Sequence, residues 1–325
     1  MKILHVLDRS LPRVAGYTAR AAAVLEHQTM LGLEPVALTS ARQDGEPLSE
    51  RIRGVMHHRT PAPAAWSPLR GVPSEALEMA ALGRRVLALG TGVDLIHAHS
   101  PIHCGLPAHA AARRLGVPSV YEIRAFWEDA VERPGHGRHG SARYTAVRAL
   151  ETRLAGAADA VVVVSDGLGR DLVMRGVPED RVFVVPHGVD TTRFAPRARD
   201  EALAERLGLR GKRVIAYVGR LSPFEGAPLL LEALARILAA RDDVRGLVVG
   251  AGEGEPELRA RHERLGLGER VVITSAPVKD EPMYALADVV VHPRARHRIT
   301  DLVTPRKPLE STDRRPREGP RLPGR

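Results

Sequence analysis

A chain of 325 residues has room for two domains, and 44% hydrophobic against 27% charged residues is the balance of an ordinary globular protein. The single cysteine, Cys104, excludes an internal disulfide, and no apolar run approaches the roughly 20 residues that span a bilayer. The net charge of +9 is uneven: residues 294–325 hold ten Arg/Lys against four Asp/Glu, which leaves +3 for the first 293 residues and argues against a nucleic-acid partner.

The opening residues, Met1 to Asp8, carry too short an apolar run for a signal peptide, so a cytoplasmic chain is expected. Ile3 to Leu7 reads as a strand, followed by a loop containing Gly16 and a helix from Thr18 to Leu31 that Gly32 stops. Strands are expected at Pro35–Thr39 and Ile52–His58, then a Pro-rich loop over residues 60–73 and a helix at Glu75–Leu89. Asp94–His99 (strand), Ile102–Leu115 (helix), Ser119–Ile123 (strand), Ala142–Ala155 (helix), Ala160–Val164 and Val182–Val185 (strands) complete the first half. Alternation of short β-branched runs with helices is the signature of a parallel sheet with crossover helices, here a doubly wound domain over residues 1–190.

A second α/β set follows in residues 191–310. It has a helix at Glu201–Leu209, strands at Val214–Val218, Val244–Val249, Val271–Thr274 and Val289–His292, and helices at Pro228–Ala240, Glu255–Leu265 and Met283–Leu286. From Ser311 the chain has three prolines and one large aliphatic residue, too little apolar surface to fold, so residues 311–325 are expected to be a disordered basic tail. The tail reads as an out-of-frame peptide, with contact to anionic lipid as the alternative.

Open α/β sheets bind ligands at the carboxyl ends of their strands, where loops run into helix N-termini that favour anions. Gly16, the pair Gly219 and Gly226, and the trio Gly250, Gly252 and Gly254 occupy three such places. No Gly-x-Gly-x-x-Gly stands at the first loop and no Gly-Lys-Ser/Thr anywhere, which disfavours nicotinamide and P-loop enzymes. Arg220, just past a strand end, has the planar fork that grips a diphosphate.

Val218-Gly219-Arg220-Leu221 with Gly226, then Val248-Val249-Gly250-Ala251-Gly252, Ala287-Asp288-Val289 and Pro308-Leu309-Glu310 resemble the second domain of the family-4 retaining glycosyltransferases. Lys2-Ile3-Leu4 leading to Gly16, Asp94-Leu95-Ile96-His97-Ala98-His99 and Val185-Pro186-His187-Gly188-Val189-Asp190 resemble its first domain and linker. Residues 122–129 and 301–305 look like the subgroup associated with exosortase A and exopolysaccharide loci. The resemblance implies a GT-B architecture, two Rossmann-like domains facing a cleft, with the second domain incomplete. It implies transfer of a sugar from a nucleotide diphosphate donor, with retention, to a polysaccharide or lipid-linked acceptor at the cytoplasmic membrane face. No cofactor or metal is implied beyond the donor itself.

The resemblance also places residues. His99 would lie near the donor sugar as the catalytic histidine. Gly16, Arg220, Gly250, Gly252, Lys307 and Glu310 would bind the donor, Glu310 through the ribose hydroxyls. Glu122 and Arg124 share a strand face and would either contact the acceptor or pair with each other. Two departures from the family stand out: Glu225 where a lysine is usual five residues after Arg220, and Leu302 where the first Glu of a Glu-x7-Glu pair belongs, with Asp301 beside it. His97 and His99 lack an evident third metal ligand, and His57, His58, His136 and His139 read as solvent-exposed. A shortened second domain is expected to leave the chain weakly active. A nucleotide-sugar epimerase and a non-catalytic nucleotide-binding fragment are the alternatives.

Overall fold

The computed structural model describes residues 1–13, 15–43, 47–63, 74–130, 140–195, 197–274 and 280–312. The chain divides into two compact units: Met1–Pro186 with Asp301–Thr304, and His187–Thr300 with the residues from Pro305 onward.

In the first unit, β1 (Lys2–Leu7), β2 (Glu34–Thr39), β3 (Ser49–Ile52), β4 (Val55–Arg59), β5 (Leu95–His99), β6 (Ser119–Ile123), β7 (Ala160–Val163) and β8 (Val182–Val184) form one sheet. Its order is β3-β4-β2-β1-β5-β6-β7-β8, and every pairing is parallel except β3 with β4. The strands are apolar because helices cover the sheet; Leu4, Val6, Ile96, Tyr121, Ile123, Val161 and Val163 are buried in one core with Leu82, Val86 and Ala108 from the helices. Chain order reverses between β1 and β5. The crevice at their carboxyl ends is therefore the topological switch point where such sheets take ligands.

The second unit repeats the plan with β9 (Arg213–Val218), β10 (Val244–Val249), β11 (Val271–Thr274) and β12 (Val289–Val290), all parallel, in the order β11-β10-β9-β12. The helix Ala227–Ala240 buries Leu230, Leu231, Leu234 and Leu238 against it. Here the order reverses at β9, so the turn beginning at Gly219 sits at the switch point.

Several expectations are corrected. The single strand expected at Ile52–His58 is a hairpin, β3 and β4, because Arg53 and Gly54 both take positive φ and turn the chain. His57 is not solvent-exposed: it is buried on β4 with Nδ1 3.1 Å from Ser10 Oγ, and burial pushes its pKa down to about 4. His58 is half-buried, its Nδ1 2.7 Å from Ser49 Oγ; His136 and His139 lie outside the described residues. The helix Asp166–Met174 was not expected, because Gly167 and Gly169 depress helix propensity. Gly167 belongs there for packing: a Cβ would press on the backbone of Leu302, whose carbonyl accepts from Ser165 Oγ at 2.5 Å. Ser311 and Thr312 close the helix Lys307–Thr312, and the rest of the tail lies outside the described residues. Among the described residues no helix is long and apolar enough to cross a membrane.

Candidate functional site

At the switch point of the first unit, Glu122 on β6 is the centre of a buried network. Its Oε1 accepts from Arg20 Nε at 2.9 Å and Arg124 Nε at 3.0 Å. Its Oε2 lies 3.3 Å from His97 Nε2 and 3.2 Å from His99 Nδ1. Burial alone would raise the Glu122 pKa, but the Arg124 charge and the contacts with His99 and His97 together outweigh it and hold the carboxyl well below its ordinary range. Arg124 also donates from Nη1 to the Tyr17 carbonyl at 2.6 Å and lies over the Tyr17 ring, 4.3 Å from its centroid. Arg20 reaches the Val185 and Pro186 carbonyls at 3.0 and 3.1 Å.

A directed chain of hydrogen bonds runs through the histidines. Arg124 Nη2 lies 2.7 Å from His99 Nδ1, and because a guanidinium only donates, Nδ1 accepts. The His99 proton then sits on Nε2 and points to His5 Nδ1 at 2.9 Å, and His5 Nε2 donates to Gln28 Oε1 at 2.7 Å. Burial keeps both rings neutral: it holds His5 well below its ordinary pKa and moves His99 down to about 3. The expectation that His97 and His99 lack a third companion is corrected, since His5, His97 and His99 bring ring nitrogens within 4.8 Å of one another. The setting does not suit a cation: two guanidinia already stand at Glu122, both on Oε1, and the facing nitrogens of His5 and His99 are spent on each other. His99 is 1% exposed, with both nitrogens engaged by neighbours. Gly16 is the exposed first residue of the helix Gly16–Met30, which carries Tyr17, Arg20 and Gln28 into this network.

In the second unit the loops after β9 and β10 are zipped together. Gly219 N donates to Val249 O at 2.8 Å, Leu221 N to Ala251 O at 3.0 Å, and Gly254 N to Leu221 O at 3.0 Å. Gly250 and Gly252 permit this approach, since a Cβ on either would collide with the carbonyl of Gly219 or Leu221. Arg220 is exposed and pairs with Glu253 at 2.8 Å, a surface contact worth little to stability. Lys307 Nζ donates to Glu225 Oε2 and to Tyr217 OH, each at 2.7 Å. The anion at Glu225 is thus taken up by a lysine from a distant segment. Glu310 is buried, with Oε2 accepting from Tyr284 OH at 3.2 Å and Oε1 2.6 Å from Arg306 Nε. Leu302, in contrast, packs in the first unit.

His5, Tyr17, Arg20 and Gln28 escaped the sequence reading. Only His5 carried a signal, a polar residue inside an otherwise apolar strand.

The profile of Glycosyltransferase Family 4 matches residues 14–193, and that of Glycosyl transferases group 1 matches residues 212–312. The GDP-mannose-dependent alpha-mannosyltransferase of Mycolicibacterium smegmatis is 31% identical over 304 residues, 90% of this chain and 73% of the relative. The D-inositol 3-phosphate glycosyltransferase of Segniliparus rotundus is 30% identical over 260 residues, 71% and 57% of the two chains. Among solved structures, Anabaena Alr3699/HepE in complex with UDP superimposes with a TM-score of 0.69 at 19% identity, covering 91% of this chain and 75% of that one.

Proposed function

Because this chain belongs to glycosyltransferase family 4 and has the GT-B fold, we propose that it moves a sugar from a nucleotide diphosphate to a hydroxyl of a glycan or lipid-linked acceptor with retained anomeric configuration. The observation that carries the reading is in the second unit. Two zipped strand-end loops, at the switch point of its sheet, hold the ammonium of Lys307 and carry the guanidinium of Arg220. Cations and loop N–H groups of this kind stabilise the diphosphate as it leaves with the electron pair of the broken C1–O bond. The acceptor oxygen forms the new bond to C1, and its proton goes to the departing phosphate oxygen.

In the first unit, Glu122 and Arg124 are assigned to the acceptor side. His99 acts through them, so it is a positioning residue. Gly16 and Glu310 are placed on the donor side, Glu310 by the ribose, where Arg306 and Tyr284 hold its carboxylate. The exopolysaccharide setting and peripheral contact with the cytoplasmic face of a membrane complete the reading.

The name of the mycolicibacterial relative makes GDP-mannose the first donor to try, with UDP-glucose second. Purified chain and a polyprenyl-linked saccharide acceptor are expected to release nucleotide diphosphate, with the product's anomeric proton showing retention by NMR. Conversion of the free sugar nucleotide without acceptor would point to an epimerase instead, an activity that none of the relatives described above carries in its name. A chain that neither releases nucleotide from these donors nor binds GDP or UDP would sink the proposal.

A further inference from the structure

The pairing of Lys307 with Glu225 deepens the donor reading and rests on it. Lys307 reaches back from the helix Lys307–Thr312 to the turn after β9, 82 residues earlier in the chain. Its side chain crosses Gly219 where a Cβ would otherwise stand, and Gly219 itself has φ +149°. Three groups fix the ammonium there. Glu225 Oε2 and Tyr217 OH each accept at 2.7 Å, and the Tyr217 ring lies under Nζ, 4.6 Å from its centroid. Tyr217 gives its own proton to the Arg220 carbonyl at 2.6 Å, so towards Lys307 it acts as an acceptor only. An ammonium has three N–H donors, and two are used here. The third has no partner among the described residues and is available beside the loop that begins at Gly219.

We infer that Glu225 is a positioning residue: it holds Lys307 across the Gly219 turn so that the lysine's remaining N–H meets the donor's diphosphate. Glu225 and Lys307 exchange the places of anion and cation that a basic turn would have. Lys307 is only 17% exposed at its side chain, and burial lowers its pKa while Glu225 works against that loss. The cost of ordering and partly desolvating a long side chain is met before the ligand arrives, which is how preorganised donors gain affinity. Arg220, exposed beside it, supplies the adaptable second contact.

The test is calorimetry of the full chain with GDP, UDP and the corresponding monophosphates. Lys307→Ala is expected to weaken the preferred nucleoside diphosphate about 10–100-fold, the range of one charge-assisted hydrogen bond, and to leave the monophosphate much less affected. Glu225→Ala, which keeps the lysine but frees it, is expected to cost less, roughly 3–10-fold. The double variant K307A/E225K places an ammonium at the site from the turn itself, and is expected to recover about tenfold over K307A. That rescue separates a phosphate contact from a merely structural ion pair, and melting curves confirm that each variant folds. Wild-type binding with K307A within twofold of it, or a folded double variant no better than the single one, overturns this inference and leaves the donor reading standing. Absence of wild-type binding to both diphosphates overturns both. Should K307A not fold, failure of E225A to weaken binding decides against the inference.

Discussion

Glu122→Ala is expected to remove about 3–5 kcal/mol from the stability of the chain at pH 7, the usual penalty for stripping the partner from buried charge. Arg20 and Arg124 both bond Oε1 of this one carboxylate and are each 9% exposed at the side chain, so neither can recover its hydration in place. The His99 ring loses its fixed neighbour in the same step. The sign of the pH dependence follows. Glu122 has its pKa depressed on folding, so its stabilisation is present above the ordinary carboxylate value of 4.5 and is lost as pH falls through the folded value. Urea unfolding at pH 7 and at pH 4 measures both effects. A loss below about 1 kcal/mol at pH 7 would show that the arginines find other partners. Glu122→Gln, which keeps one acceptor and loses the charge, should fall between the two.

Glu151→Gln should do the reverse and stabilise the chain in alkaline buffer. Glu151 is fully buried on the helix Ala142–Ala157, accepting from Tyr121 OH and Trp127 N, both at 2.8 Å. The nearby cation is already committed: Arg175 pairs with Glu128 at 2.7 Å and Asp171 at 2.6 Å and lies over the Phe126 ring. Burial first, and the charge of Glu128 second, push the Glu151 pKa up from 4.5 to about 8. The folded state therefore binds a proton that the unfolded chain gives up. Stability contributed by that proton is complete below pH 4.5 and is lost as pH rises to about 8. Each tenfold in proton affinity is worth about 1.4 kcal/mol, so the loss is on the order of 4–5 kcal/mol. Glutamine keeps an acceptor for Trp127 and offers an N–H to Glu128, so E151Q should flatten the decline between pH 5 and 9. Thermal melts across that range check it. A wild-type curve that stays flat, or a variant that falls in parallel with it, would refute the proton.

The site residues fall into two kinds. Glu122 and Arg124 were legible because alternation on a strand puts them on one face, and the short range of that rule suffices. Arg20, bonded to Glu122 across 102 positions, and His5, bonded to His99 across 94, were not, because sequence spacing says nothing about which strand lies beside which. The same limit applies to His99. The sequence could place it at a strand end, but whether its nitrogens face substrate or neighbours depends on β1 and on the arginine two residues past Glu122. Glu225 looked like a liability beside a phosphate until Lys307 was seen to cover it.

From the order of its residues alone, this chain determines two α/β units, the places of nearly all their strands, and the glycine turns that end β9 and β10. Those features rest on hydrophobic period, turn chemistry and propensity, which act over a few residues. The tertiary structure alone decided which groups share a charge. Glu122 with two arginines, Glu151 left with a proton, and Lys307 laid across Gly219 each depend on burial and on neighbours brought together by sheet order. Electrostatic roles of this sort are properties of distance and desolvation, and neither exists before the chain has folded.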